Sequence, residues 1–436
     1  MKQSVAPSRT TTVATYAIVA ILTLVPFNTL LTTWAGSNFG HLDLFRVIKE
    51  LIMLPLGVYG AILVYQSKPL LRRWQQSWLV RCVVLYGVFF AAYAGLELIQ
   101  GTTTPSAVWF SLVTNIRFLW FFLTVWAICS FDPRVRLWWP KIVLVPASLV
   151  VVFGIAQRLL LPSDFLRHFG YGPDTISPVA TVDQKLAYQR VQSTLRGANP
   201  LGAYLIVPIL TALAFVRRHL ALVGFIGLAF LTLFFTYSRS AWIGLTVAVM
   251  VFLWRQANNE QRRGLVVAVG VGLVLAFSGI WLLRDNNFVQ NTVFHSDETS
   301  QSAVSSNEQR LSSLKAASRE IIQQSFGAGP GTAGPASFRN NQPARIAENY
   351  YLQIGQEVGL IGLGLFVAIT ILVGRQLLRS KALLAQVLFA SLVGITVINL
   401  ISHAWTDDAL SIIWWGLAGA AMTLPDILNR KRNKAN

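Results

Sequence analysis

The 436-residue chain is 54% hydrophobic and only 12% charged, with a formal net charge of +18. Soluble domains carry about 25% charged residues, so a water-soluble globular fold is excluded. The positive balance does not point to nucleic acid, because the basic residues sit in short clusters between apolar runs, the positive-inside pattern of membrane proteins.

Apolar runs recur from Val13 onward, and a bilayer-spanning helix needs about 20 residues. Twelve spans are expected, at about 13–34, 44–65, 78–99, 107–131, 142–160, 198–216, 220–236, 241–254, 264–283, 350–373, 383–401 and 409–424. The fold class is therefore all-α. Residues 1–436 form one polytopic integral membrane domain of about twelve transmembrane helices. Lys2 and Arg9 precede the first run, as in a signal peptide. That run is longer than an h-region of about 7–15 residues, so it reads as an uncleaved first span. Pro55, Pro146 and Pro208 fall inside spans, where neighbouring helices re-satisfy the freed backbone groups. Cys82 and Cys129 lie in apolar runs without a CxxC pattern and say nothing about redox compartment.

Loop charge sets the orientation. Lys2/Arg9, Lys68/Arg72/Arg73, Arg134/Arg136/Lys141, Arg217/Arg218, Arg255/Arg262/Arg263, Arg375/Arg379/Lys381 and the tail from Arg430 to Lys434 all fall on one side. That side carries only Asp132, Glu260 and Asp426 as acids and reads as cytoplasmic, with both termini inside.

The opposite side receives two long segments, about 161–198 and about 284–349. Long loops translocate regardless of charge, so most arginines there need no special reason. Arg196 and Arg239 differ, because each abuts a span. In the second segment, 307–324 places Leu311, Leu314, Ala317, Ile321 and Ile322 on one face of an amphipathic helix. Ser306 with Gln309 fits a capping box, and Gly327, Gly329, Pro330 and Gly331 stop the helix. Arg310 projects within about 60° of the centre of the apolar face. It either snorkels from the interface or aims into the protein. Arg117 lies inside the fourth span; Glu97 is offset from it by about 12 Å of helix and is not its expected partner.

Metal signals are poor. The five histidines show no HExxH or paired spacing. Asp407–Asp408 is an adjacent carboxylate pair, for which a salt bridge or solvation is the cheaper reading than a divalent site. No P-loop, GxSxG or GxGxxG context appears, and no metal or cofactor is expected. What remains is a set on one face: Arg196, Arg239, Arg310 and Glu348. Guanidinium groups bind phosphate bidentately and stay charged, and a convergent cluster of them calls for an anion; beside a membrane, diphosphate is the natural one. Arg345 and Asn349 flank Glu348 where a polar stretch enters the tenth span. Ionisable groups at that depth default to functional hypotheses. The competing reading is an interfacial anchor, with Tyr350 and Tyr351 in an aromatic belt.

Four stretches resemble the O-antigen ligase/polymerase superfamily of bacterial membrane glycosyltransferases. They are STLRGANPLGAYL (193–205), FTYSRSAWIGL (235–245), EQRLSSLKAASREIIQQSFGAGPG (308–331) and ENYYLQIGQEVGLIGLGLF (348–366). Their order and membrane positions match, and the resemblance covers about 190–370, with 284–349 as the periplasmic loop. The resemblance implies an inner-membrane enzyme whose site faces the periplasm. It implies an undecaprenyl-diphosphate-linked glycan as donor, a glycan or lipid A–core as acceptor, inversion at the anomeric carbon, and neither metal nor nucleotide sugar. Arg196, Arg239, Arg310, Arg345 and Asn349 then bind the diphosphate-bearing substrate, and Glu348 is the general base. Ligases of the family usually carry histidine before the asparagine where this chain has Glu348, which leans the reading toward a repeat-unit polymerase over a ligase. A lipid-linked glycan transporter is the alternative of another class; it should place its ionisable residues at mid-membrane, where only Arg117 sits. A scaffold that kept the fold without catalysis is a third.

Overall fold

The computed structural model describes residues 7–182, 185–217, 219–284, 286, 289–290 and 306–428. Lys2, Arg218, Arg430 to Lys434 and most of the 285–305 stretch, used above for orientation and loop assignment, lie outside the described residues. In hydrocarbon each backbone group must be paired within the chain, and the apolar runs accordingly form helices. In order these are α1 (Arg9–Leu24), α2 (Asn28–Phe39), α3 (Leu42–Gln66), α4 (Lys68–Gln75), α5 (Trp78–Gln100), α6 (Pro105–Cys129), α7 (Arg134–Leu159), α8 (Ala198–Phe215), α9 (Ala221–Phe235), α10 (Arg239–Gln256) and α11 (Asn259–Leu282). After the loop come α12 (Ser306–Gln323), α13 (Tyr350–Leu378), α14 (Leu383–Asn399), α15 (Asp408–Ala421) and α16 (Pro425–Leu428).

Among the described residues, seven helical segments are long and apolar enough to cross a membrane. They are 9–39 (α1 and α2 together), α3, α5, α6, α7, α8 and α13. Three shorter apolar helices are α9, α14 and α15, and the stretches expected as the eighth and ninth spans are α10 and α11. The chain is a multi-pass membrane protein, and among the described residues seven helices have spanning length and hydropathy, so twelve spans are not shown. Pro55, Pro146 and Pro208 sit inside α3, α7 and α8. One element escaped the sequence reading: strands 180–182 and 185–190 pair antiparallel in the first long segment.

Helix α6 is central to the functional end. It starts where Thr104 Oγ1 accepts from Ala107 N at 3.3 Å, with Pro105 at the first helical position, a position that needs no N–H. Small residues let its neighbours approach. On α3, a Cβ at Gly57 would meet the Trp120 ring of α6. On α15, a Cβ at Gly419 would meet the Phe122 carbonyl oxygen. Such close contacts are the usual currency of packing in lipid.

Helix α13 is not one helix. Val358 (φ −124°) and Gly359 (φ +66°) break it, and the loop after α12 supplies the missing bonds. Ala328 N donates to Gln356 O at 2.7 Å, Gly329 N to Glu357 O at 3.0 Å, and Leu360 N donates to Ser325 O at 2.8 Å. The glycine-rich run therefore does more than stop α12; Gly327, Gly329 and Gly331 all take positive φ to dock on the break. Beneath them the fully buried Glu357 carboxylate accepts from Ser111 Oγ (2.8 Å), Asn115 Nδ2 (3.1 Å) and Gly331 N (2.9 Å). Helix α12 rests on α13 through Ala317 and Ile321, whereas Leu311 and Ile322 of the same expected face are exposed.

Candidate active site

A cavity of about 830 Å³ opens at one end of the bundle. Its lining comes from the starts of α2, α3, α6 and α8, from the Pro335–Ile346 stretch, and from the turn before α15. These segments lie at the end of the bundle that the loop charges lead one to expect as extracytoplasmic.

Arg196 lines this cavity immediately before α8, and its Nη2 lies 2.8 Å from Asp407 Oδ1. Asp407 is nearly buried. Burial pushes its carboxyl up to about 6, against the downward pull of Arg196. Deeper in, Arg117 Nη1 is 3.0 Å from Glu50 Oε1, and Arg117 Nη2 pairs with Asp408. Lys49 Nζ lies 2.9 Å from Asp408 Oδ2 and 3.2 Å from Glu50 Oε1. The Asp407–Asp408 pair is thus consumed by salt bridges, as its sequence context suggested. Glu97 is bonded to Thr102 and Thr103 and is no partner of Arg117.

The remaining candidates are placed as follows. Glu348 is half-buried with φ +48°, two residues beyond the cavity-lining Ile346. Non-glycine residues take left-handed φ rarely, and such strain clusters at functional sites. Asn349 caps α13: its Oδ1 accepts from Leu352 N at 3.0 Å and its Nδ2 donates to Leu400 O at 2.9 Å. Arg345 pairs with Glu320 of α12 at 2.6 Å. Arg239 opens α10, partly buried; a Cβ at Gly202 on α8 would meet Ser238 beside it. Arg239, Arg345, Glu348 and Asn349 are not among the cavity-lining residues. Arg310 lies in the first turns of α12, and the side chains of 306–310, including the expected Ser306–Gln309 box, lie outside the described residues. Tyr350 is no interfacial anchor: it is fully buried, and its hydroxyl donates to Asn115 Oδ1 at 3.0 Å.

Residues 224–367 match the Wzy_C family model, O-antigen ligase. This third of the chain is thus similar to the O-antigen ligase family, membrane glycosyltransferases of the ligase/polymerase type that act on lipid-linked glycans. The matched residues contain Arg239, Arg310, Arg345, Glu348 and Asn349 and lie within the 190–370 region read from motifs; Arg196 precedes them. No curated protein matches the chain. Among the described residues, no group of three or more His, Cys, Asp or Glu side chains is placed to hold a metal ion.

Sequence reasoning missed the inner charges Lys49, Glu50 and Asp408 as a unit. Their signal was present: Lys49 is a cation at a span end opposite the basic loops, and Arg117 is an intramembrane arginine, which demands a named partner.

Proposed function

We propose that the protein transfers a glycan from undecaprenyl diphosphate to an acceptor hydroxyl at the periplasmic face of the bacterial inner membrane, without a metal. The acceptor oxygen attacks the anomeric carbon as the carbon–oxygen bond to the diphosphate breaks, inverting configuration. Glu348 takes the hydroxyl proton. Arg196, Arg239 and Arg310 hold the diphosphate and stabilise the charge that grows on it. Arg345 adds a further guanidinium to this set, and Asn349 fixes the chain at Glu348. Both termini are cytoplasmic in this reading.

The observation that carries the reading is the cavity itself. It combines a half-exposed arginine at its rim with a nearly buried acid, in a chain with a stretch similar to the O-antigen ligase family. Glutamate where ligases usually carry histidine favours repeat-unit polymerisation. The family description favours the second reading, a ligase that joins glycan to lipid A–core.

The test is turnover of radiolabelled lipid-linked glycan by purified protein with excess chelator. Chain extension supports the polymerase, and label on lipid A–core supports the ligase. Glycan moved across vesicles with no new glycosidic bond overturns the reading in favour of a transporter.

A further inference from the structure

The cavity has a floor distinct from its arginine rim. Two cations and two carboxylates, Lys49, Glu50, Arg117 and Asp408, form one closed network there. The two pairs of charges cancel, so the floor offers no net attraction to an anion. The Lys49 and Glu50 side chains are 13% exposed and Arg117 is 10% exposed. Burying charges in this way is weak evidence for a purely stabilising role, because desolvation offsets the attraction. Among the described residues, Glu50 Oε2 and Arg117 Nε are left without a hydrogen-bond partner. The Asp408 side chain is the most open of the four, 25% exposed, and its carboxylate can accept from a sugar hydroxyl.

The wall above this floor is aromatic. Trp109, Phe110, Val113 and Arg117 follow helical spacing along one face of α6, and all four line the cavity. Trp109 lies eight residues before Arg117, about 12 Å along the helix. Arg339 stacks over the Phe110 ring, 4.7 Å from its centre. Apolar surface with a few placed polar groups is the common form of a small-molecule pocket. Here it suits a ring with an apolar face and a hydroxylated edge.

We propose that Lys49, Glu50, Arg117 and Asp408 form a subsite for a neutral sugar ring, gripped through its hydroxyls, with Trp109 and Phe110 stacking on the glycan that leads to it. This rests on the glycosyltransferase reading and adds what the arginine rim does not supply, selection of the sugar itself. A carboxylate or guanidinium hydrogen bond discriminates among hydroxyl configurations, because the wrong epimer leaves it unpaired.

The experiment is saturation-transfer NMR on the full chain in a sugar-free detergent. The probes are the methyl glycosides of glucose, galactose and N-acetylglucosamine, with inorganic pyrophosphate titrated separately. The expected result is transfer to at least one glycoside, weakened about tenfold or more by Glu50→Gln and reduced by Trp109→Ala, with pyrophosphate binding retained in both variants. Adding the undecaprenyl-diphosphate-linked glycan identifies the source of the ring. A donor ring is bonded to that diphosphate, so the linked glycan displaces the methyl glycoside; an acceptor ring is held alongside it. Pyrophosphate binding with no glycoside transfer, or transfer indifferent to both variants, overturns the subsite and leaves the proposed function standing. Loss of both ligands in folded wild-type protein overturns the two together.

Discussion

The Asp407 carboxylate lies 2.8 Å from the Arg196 guanidinium, joining positions 211 residues apart in sequence. The acid is nearly buried while the Arg196 side chain is 46% exposed. Asp407 therefore occupies the group that the proposed diphosphate needs. An incoming diphosphate must displace it or share the guanidinium with it.

A pH dependence follows. Burial holds the Asp407 carboxyl at about 6, so the group is ionised above that pH and neutral below it. Neutral Asp407 no longer competes for Arg196. Binding of undecaprenyl diphosphate linked to a glycan, a diester of constant charge, is predicted to tighten as pH falls through about 6. Asp408, Arg117, Lys49, Glu50 and His403 also face this cavity, so Asp407→Asn is the deciding control. It should bind about fivefold tighter at neutral pH, the worth of an ion pair of about 1 kcal/mol, and should flatten this part of the profile. Affinity measured from about pH 5 to 8 checks both.

Glu348→Gln keeps the shape and removes the proton acceptor. Transfer is predicted to fall by about 10²- to 10⁴-fold, the usual worth of a general base, with donor binding unchanged. Glu348→His should retain part of the activity. A fully active Glu348→Gln ends the general-base role.

Arg117 bridges two carboxylates inside the bundle. Arg117→Met leaves Glu50 and Asp408 with only Lys49 between them. Removing one partner of a buried pair costs about 3–5 kcal/mol, so the unfolding midpoint in detergent is predicted to drop clearly. Arg196→Ala, whose side chain is half-exposed, should shift the midpoint less.

The break in α13 gives a fourth prediction. Gly359 has φ +66°, and a Cβ there would meet the Ser325 and Phe326 backbone. Gly359→Ala should loosen the 324–331 loop, since a side chain forced into such a conformation costs about 1–3 kcal/mol. Limited proteolysis should then cut this loop faster while the protein still inserts. Unchanged cleavage contradicts the docking role assigned to the loop.

The helices were legible because lipid leaves an apolar run few alternatives, and each expected span coincides with a helix. The break was not, because Gly359 in a glycine-rich span looks like any small packing residue until the loop that docks on it is in place. Salt bridging of Asp407–Asp408 was legible from the poverty of other metal ligands. Its partners were not: Glu50 and Arg117 are 67 residues apart, and Arg117 and Asp408 are 291 apart. No spacing rule connects such positions; only the close approach of α3 and α15 to α6 does. Tyr350 misled for a related reason. A tyrosine at a span entrance suits the interface, but Asn115 offers its hydroxyl a partner inside the protein.

The central claim is that Arg196 receives the diphosphate of a lipid-linked donor. Its most direct measurement is glycan transfer by Arg196→Ala, with Arg239→Ala and Arg310→Ala alongside, in protein shown to insert and fold as wild type. Losing one preorganised donor to a developing charge costs about 10²- to 10³-fold in rate, and each variant is predicted to fall by that order. Wild-type transfer rates in all three contradict the diphosphate site.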